Sequence, residues 1–284
     1  MTLVDGEASK LEEQAKLVRE TIVKMLVEAG SGHTAGALGM ADILTAFYFN
    51  ILSHDPKNPE WEERDRLVLS NGHICPALYA VLAHAGYFPV EECLTLRKFG
   101  SRLQGHPERA RLPGIETTSG PLGEGLSQAA GMAISLRKAS PRGIPQGVAL
   151  RRVYCVMSDG EQDEGSTWEA VMFAGKNKLS NLTAVIDRNN IQISGTTEEV
   201  MPLEPIADKY RAFNWNVIEV DGNNISEFIQ AVDEAKGAEE KPTIIIAHTI
   251  SGKGVPEIEN DYHWHGKVPT KEEGERFIKE IRHD

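Results

Sequence analysis

From residue 152 onward, short apolar runs and amphipathic segments alternate, and this constrains the fold more than any other feature of the chain. "RVYCVM" precedes "STWEAVMFAGKNK", "LTAVID" precedes a loop and "LEPIADKYRAFN", "WNVIEV" precedes "NISEFIQAVDEAKG", and "PTIIIAHTI" follows. Near-continuous runs rich in Val and Ile read as strands buried on both faces, and the intervening helical periodicity as the segments that cover them. The β-α-β-α order predicts an α/β fold: a doubly wound, mostly parallel sheet with helices on both faces. The first half reads compatibly. "LEEQAKLVRETIVKMLVEAG" (11–30) is a helix ending on a glycine that fits a C-cap, and "GMADILTAFYFNIL" (39–52) is a second. "RLVLS" (66–70) is a strand entering a tight turn at "NGH", "ICPALYAVLAHAGY" (74–87) is helical, and the small residues of "GEGLSQAAGMAISLRKA" (123–139) suit a helix packed close to another backbone. "KASPRGIPQGVALR" (138–151) reads as a surface loop too short to separate domains, so a single domain is expected over residues 1–284.

In open α/β sheets, ligands bind at the carboxyl ends of the strands. Three polar stretches fall at such ends: "NGH" (71–73), "SDGEQDEG" (158–165) and "DRNNIQISG" (187–195). They are expected to converge on one edge of the sheet. A carboxylate from Asp159 and an amide oxygen from Asn189 suit a hard cation such as Mg2+, and the backbone carbonyl of Ile191 is a candidate third ligand. Gly160 is expected to let the chain turn sharply and approach a phosphate, and the helix starting near Ser166 to aim its free N–H groups at the same place. Ordinary β-turns at both positions are the alternative reading. The occurrence of the two on consecutive strand ends favours the cation.

The formal net charge of −12 argues against a nucleic-acid partner and against an anionic membrane surface. An anionic ligand must therefore be held locally, by metal, helix N-termini and individual basic groups. Cys75, Cys93 and Cys155 show no metal-type spacing and read as free thiols of a reducing compartment. The polar N-terminal sequence is not a signal peptide and no apolar run is long enough to cross a bilayer, so a cytoplasmic location is expected.

Asp-Gly followed about thirty residues later by Asn after an apolar strand resembles the thiamine diphosphate signature. The surrounding text is similar to transketolase: "SGHTAGALGMADIL", "LSNGH", "GSRLQGHPE", "TTSGPLGEGL" and "WHGKVP" occur in the family's order, from about residue 15 to about residue 270. The resemblance implies the thiamine diphosphate-binding fold and a set of roles. Asp159, Asn189 and the Ile191 carbonyl would bind Mg2+, with Ca2+ or Mn2+ able to substitute. His73, Gly120, Leu122, Asp159, Gly160, Asn189, Ile191 and His265 would contact the cofactor. His33, His106 and His265 would line the substrate channel and act on sugar hydroxyls, a task suited to imidazoles that titrate near neutrality. Glu164 matches a family glutamate that pairs across a dimer contact, or is a helix N-terminal charge. Lys253 is a candidate phosphate contact or a solvated loop lysine. His54, His84, His248 and His283 read as structural or surface residues, and His263 lies two residues before His265. There are departures: Ser158 replaces the usual first glycine of Gly-Asp-Gly, Thr34 and Ala35 replace Pro-Gly after His33, and Glu124 stands where many relatives have Gln.

The implied reaction moves a two-carbon ketol unit from a ketose phosphate to an aldose phosphate, as in the pentose phosphate pathway. In the family, an activating glutamate and an arginine-rich sugar-phosphate pocket lie on pyrimidine-binding and carboxy-terminal domains that this sequence does not contain. The chain thus looks like the diphosphate-binding, amino-terminal subunit of a split transketolase, expected to work in a two-plus-two heterotetramer with a separate carboxy-terminal chain. The alternatives are the α component of a 2-oxo acid dehydrogenase, a deoxyxylulose-phosphate synthase-like enzyme, and a non-catalytic cofactor-binding subunit. "SGHTAGALGMA" and "GHPE" disfavour the first, and four motif-matched histidines disfavour the last.

Overall fold

A computed structural model describes residues 6–138 and 151–283, so nearly all of the expected 138–151 surface loop lies outside the described residues. The chain runs α1 (Glu7–Ala29), α2 (Ala35–Gly39), α3 (Ala41–Ala46), β1 (Arg66–Leu69), α4 (Cys75–His84), α5 (Gly125–Lys138), β2 (Val153–Ser158), α6 (Gly165–Lys176), β3 (Leu182–Arg188), β4 (Ile191–Gln192), β5 (Gly195–Thr196), α7 (Thr197–Val200), α8 (Ile206–Ala212), β6 (Asn216–Asp221), α9 (Ile225–Lys236), β7 (Thr243–His248) and α10 (Lys271–His283). Five strands form one sheet in the order β1-β2-β3-β7-β6, and every neighbouring pair is parallel. The antiparallel pairing among the described residues is the small hairpin of β4 and β5.

The alternation of side chains along each strand divides the core in two. Leu67, Leu69, Tyr154, Val156, Val185 and Ile245 point into a cluster shared with α1, α3, α4, α9 and α10. Val68, Cys155, Met157, Ala184, Ile186, Ile244 and Ile246 point into one shared with α5, α6 and α8. Period-two strands covered on both faces are what the apolar runs require. The three cysteines are buried and free. Among the described residues no helix is long and apolar enough to cross a membrane.

One expectation about an element is corrected, and one element lies beyond those expected. The helix expected over 39–52 is broken: α2 and α3 meet at Met40, and a π-helical turn follows at Phe47–Ile51. Gly39 lies against the loop after β7, where an added Cβ would sit 2.7 Å from the Ile250 carbonyl oxygen. Its own carbonyl accepts the Asn223 side-chain amide at 2.9 Å, so the break is satisfied by tertiary contacts. The second finding is α10, an element beyond the expected strands. It buries Phe277 and Ile281, worth roughly 1.5–3 kcal/mol each by area. It packs closely on α1, with Gly274 set against Val27.

Candidate active site

The carboxyl ends of β1, β2 and β3 are neighbours, and the polar stretch that follows each strand opens into one cavity. Its lining includes His33, His73, His106, Gly120, Leu122, Asp159, Gly160, Asn189, Ile191 and His265. These ten residues, expected to contact cofactor, cation or substrate, therefore meet in one place. Gly36, Ser158, Gln192, Ile193 and Ser251 complete the wall. Lys253 is not part of the lining.

Asp159 is the acidic centre. It is 1% exposed. One of its oxygens accepts the Gly160 N–H at 2.9 Å, and the other accepts the Asn190 N–H at 2.7 Å and lies 3.4 Å from Arg188 Nη1. Asn190 has a left-handed backbone (φ 63°), which asparagine tolerates, and its N–H meets the carboxylate there. Burial, reinforced by the nearby Asp187 carboxylate, pushes the Asp159 carboxyl up to about 7 against the opposing pull of Arg188. Burial likewise raises Asp187 to about 6, opposed by hydrogen bonds from Thr249 and Asn189. Asn189 is held at both ends of its amide: Nδ2 donates to Asp187 at 2.9 Å, and Oδ1 accepts the Ile191 N–H at 2.9 Å. Two carboxyls raised by burial beside a cavity form a place where a bound cation would restore the charged forms.

The four motif histidines cluster on the same cavity. The His33 ring centroid lies 5.2 Å from His73, 5.3 Å from His265 and 6.4 Å from His106, and His73 lies 5.2 Å from His265. Burial, with repulsion from the neighbouring imidazoles and Arg97, lowers His33 to about 4. His73 is driven well below the ordinary imidazole value, mainly by burial, and His106 and His265 are lowered in the same direction. The cluster is thus neutral near pH 7. It is assembled from four separate segments of the chain. His33 sits between the Gly30 cap and α2, and Thr34 donates its hydroxyl to the Lys267 carbonyl at 2.6 Å. His265 follows Trp264, which packs on Phe277 of α10 with ring centroids 5.4 Å apart. His73 and His106 flank a tight approach in which a Cβ on Gly72 would come 2.7 Å from Ser119 Oγ.

Several local expectations are revised. Gly160 does not have a positive φ, and a Cβ there would make only ordinary contacts, 3.5 Å to Gln192. The bend does not need glycine, and the free space lies on the cavity side. The α6 N-terminus does not line the cavity, because a 3-10 turn, Gly160–Asp163, intervenes. Glu164 is the exposed N-cap residue of α6, as the helix-terminus reading expected. Thr34 and Ala35, in place of Pro-Gly, stand at the start of α2; Thr34 has helical dihedrals and makes no capping bond, its hydroxyl going to Lys267 instead. Among the remaining histidines, His54 contacts Tyr48 and Tyr87, His84 contacts Thr21, and His248 contacts Glu219. His263 is exposed, bonded to Asp261 at 2.7 Å, and lines a second opening that shares His33, Ile193 and His265 with the main cavity.

Sequence reasoning passed over Asp187, Arg188 and Ile193. The signal for the first two was present: an Asp-Arg pair ends an otherwise apolar strand. Arg188 is buried and bridges Asp159 to Thr197, Glu198 and Glu204, fastening the segment after the hairpin to the acidic centre. Ile193 is β-branched with φ 41°, a strained conformation in the hairpin at the cavity mouth, and no composition signal marks it.

Residues 11–282 match the family described as "Transketolase, thiamine diphosphate binding domain". The chain belongs to the transketolase family and is its thiamine diphosphate-binding part. It is 43% identical over 271 residues to the 6-deoxy-6-sulfo-D-fructose transketolase subunit SqwG of Clostridium sp. (strain MSTE9), covering 95% of this chain and 96% of that protein. It is 41% identical over 275 residues to an apulose-4-phosphate transketolase subunit of Phocaeicola vulgatus, covering 97% of this chain and 95% of that protein. Among solved structures, transketolase from Leishmania mexicana superposes with a TM-score of 0.91 at 32% identity over 96% of this chain. This transketolase-family chain spans 41% of that solved chain. The shared fold accounts for the parallel sheet with its site at the ends of β1, β2 and β3.

Proposed function

We propose that the chain is the amino-terminal subunit of a Mg2+-dependent transketolase that transfers a two-carbon ketol unit from a ketose phosphate to an aldose phosphate. One observation carries the reading: ten motif residues, spread from position 33 to position 265, line a single cavity with a buried carboxyl pair at one part and four neutral imidazoles at another.

The residues present fit a diphosphate with its cation. Among the described residues, Oδ1 and Nδ2 of Asn71, Nδ1 of His33 and Oγ of Ser119 are buried polar atoms with no hydrogen-bond partner; His33 lines the cavity, and Asn71 and Ser119 each adjoin a lining residue or its neighbour in sequence. Buried groups of this kind are ordinarily satisfied by something bound. Asp159, the Asn189 amide oxygen and the Ile191 carbonyl would hold the cation, which takes remaining oxygens from phosphate. His73, Gly120, Leu122 and Gly160 would meet the cofactor. When bound, thiamine diphosphate supplies an electron sink for cleavage of a carbon–carbon bond.

The chain's own contribution is orientation and proton handling. His33, His106 and His265, held neutral, can each accept a proton from a sugar hydroxyl and donate from the other ring nitrogen. Their mutual repulsion resists a second positive charge on that wall. The carboxy-terminal half of the enzyme is assigned to a separate chain in a two-plus-two assembly, a reading supported by relatives of the same length that are named as subunits. The test is a ketol-transfer assay on this chain alone and after titration with the carboxy-terminal subunit. Activity is expected only in the mixture. Full activity from the isolated chain would overturn the two-chain reading.

A further inference from the structure

Glu161 follows Asp159 by two residues but does not line the cavity. Its side chain is fully buried. Oε1 accepts the Ser70 hydroxyl and the Gly123 N–H, the latter at 2.8 Å, and Oε2 accepts the Ser158 N–H at 2.9 Å. Ser70 Oγ in turn accepts the Gly125 N–H at 3.0 Å. Each donor belongs to a different wall of the site. Ser70 stands after β1 and leads into Asn71 and His73. Gly123 follows Gly120 and Leu122. Ser158 ends β2 and leads into Asp159. The approach is close: a Cβ on Gly125 would lie 2.3 Å from Ser70 Cβ, and Gly123 has φ 82°.

Three donors converging on two oxygens require a group that only accepts. A carboxylate meets this requirement. A glutamine has one accepting oxygen and would set its NH2 against at least one donor, and an aspartate is a methylene too short. The bonds tie together loops that are far apart in sequence and that carry six of the cavity-lining residues, His73, Gly120, Leu122, Ser158, Asp159 and Gly160. We propose that Glu161 is a positioning residue for the cofactor, whose carboxylate clasps the Gly120–Gly125 loop to the ends of β1 and β2 and so sets the width of the diphosphate cleft. The proposal rests on the assignment of this cavity to thiamine diphosphate.

The experiment measures thiamine diphosphate affinity by calorimetry with Mg2+, in the enzyme assembled with its partner subunit, alongside its melting temperature. Four variants are compared with wild type: E161Q, E161D, S70A and E116Q. Glu116 is a buried carboxylate paired with Arg64 at 3.0 Å, outside the cavity, and its variant reports what a purely structural loss does. E161Q is expected to bind the cofactor about 10- to 100-fold more weakly, the scale of losing charge-assisted bonds at a buried carboxylate. S70A is expected to bind roughly 3- to 10-fold more weakly, since it removes one strand of the clasp. E116Q is expected to melt lower and to keep wild-type affinity. E161D, which keeps the charge but shortens the reach, is expected to recover part of the loss. Wild-type affinity in both E161Q and S70A would overturn the proposal while leaving the cavity assignment intact. If E161Q does not fold, S70A alone decides. Failure of the wild-type assembly to bind thiamine diphosphate would overturn the cavity assignment and the proposal with it.

Discussion

Thr34 donates its hydroxyl to the carbonyl of Lys267 at 2.6 Å, joining two loops 233 residues apart in sequence. One loop carries His33 and the other His265, whose rings sit 5.3 Å apart. A proline at position 34 would have no hydroxyl to make this bond. Thr34→Val keeps the shape and removes the donor. Turnover is expected to fall roughly 3- to 10-fold, with cofactor affinity nearly unchanged, because the lost bond of about 1 kcal/mol acts on the spacing of two imidazoles. Steady-state kinetics with a calorimetric cofactor titration would check it. Unchanged turnover would show that the loops are held by their other contacts.

Asp159→Ala removes the only carboxylate of the proposed cation set. Thiamine diphosphate binding in the presence of Mg2+ is expected to weaken tenfold or more, a loss of about 1.4 kcal/mol or greater. Asp159→Asn, which retains an accepting oxygen but not the charge, is expected to lose nearly as much. Titration of the assembled enzyme reads both, and wild-type affinity in either would remove Asp159 from the ligand set.

His106→Ala and His33→Ala are expected to lower turnover by roughly ten- to a thousandfold, the range of one proton-transfer or hydrogen-bonding group, while shifting cofactor affinity much less. Cofactor affinity falling as far as turnover in both variants would move these residues from the sugar to the cofactor.

The histidine cluster also sets a pH dependence. His33 titrates at about 4 when folded, against an ordinary value of 6.5. Between these values the unfolded chain binds more protons than the folded one, so stability rises with pH through this window and is lost as pH falls from about 6.5 toward 4. His73, His106 and His265 are shifted in the same direction and add to the slope. Asp159 and Asp187, raised to about 7 and about 6, bind protons in the folded state over the same window and oppose this slope, so the reading is a difference: between pH 7 and pH 5 the melting temperature of wild type is expected to shift downward relative to that of His33→Asn. Equal slopes in wild type and variant would show that His33 does not contribute.

Much of the molecule was legible in the chain because two periodicities carry it. The runs at 153–158, 182–188 and 243–248 are buried on both faces, and such strands leave no doubt in an apolar count. Of the ten candidate residues that share the cavity, His73, Asp159, Gly160, Asn189 and Ile191 were legible because they follow strand ends, whereas His33, His106, Gly120, Leu122 and His265 were marked by the motifs that resemble transketolase. What stayed hidden was set by contacts between distant segments. Met40 breaks a helix because Gly39 packs under Ile250 and gives its carbonyl to Asn223, and neither partner is near in sequence. The importance of Arg188 depends on Glu198 and Glu204 folding back over it. Glu161 looked like one more acidic residue in "SDGEQDEG", and only the burial that brings Ser70 and Gly123 onto it separates it from its neighbours.

The strand order β1-β2-β3-β7-β6 has a consequence for how the protein is made. β6 is synthesised before β7, yet β7 is its hydrogen-bonding neighbour in the sheet, and β7 also completes β3. Until residues 243–248 leave the ribosome, two strand edges stand open on the nascent chain, and open edges invite pairing with other chains. At typical translation speeds of roughly 5–20 residues per second, that exposure lasts on the order of seconds. His265 comes later still, so no ligand that needs it can help the growing chain. Chaperone dependence should therefore concentrate in the last fifth of synthesis, and truncations that stop short of β7 should aggregate while those that stop beyond it stay dispersed.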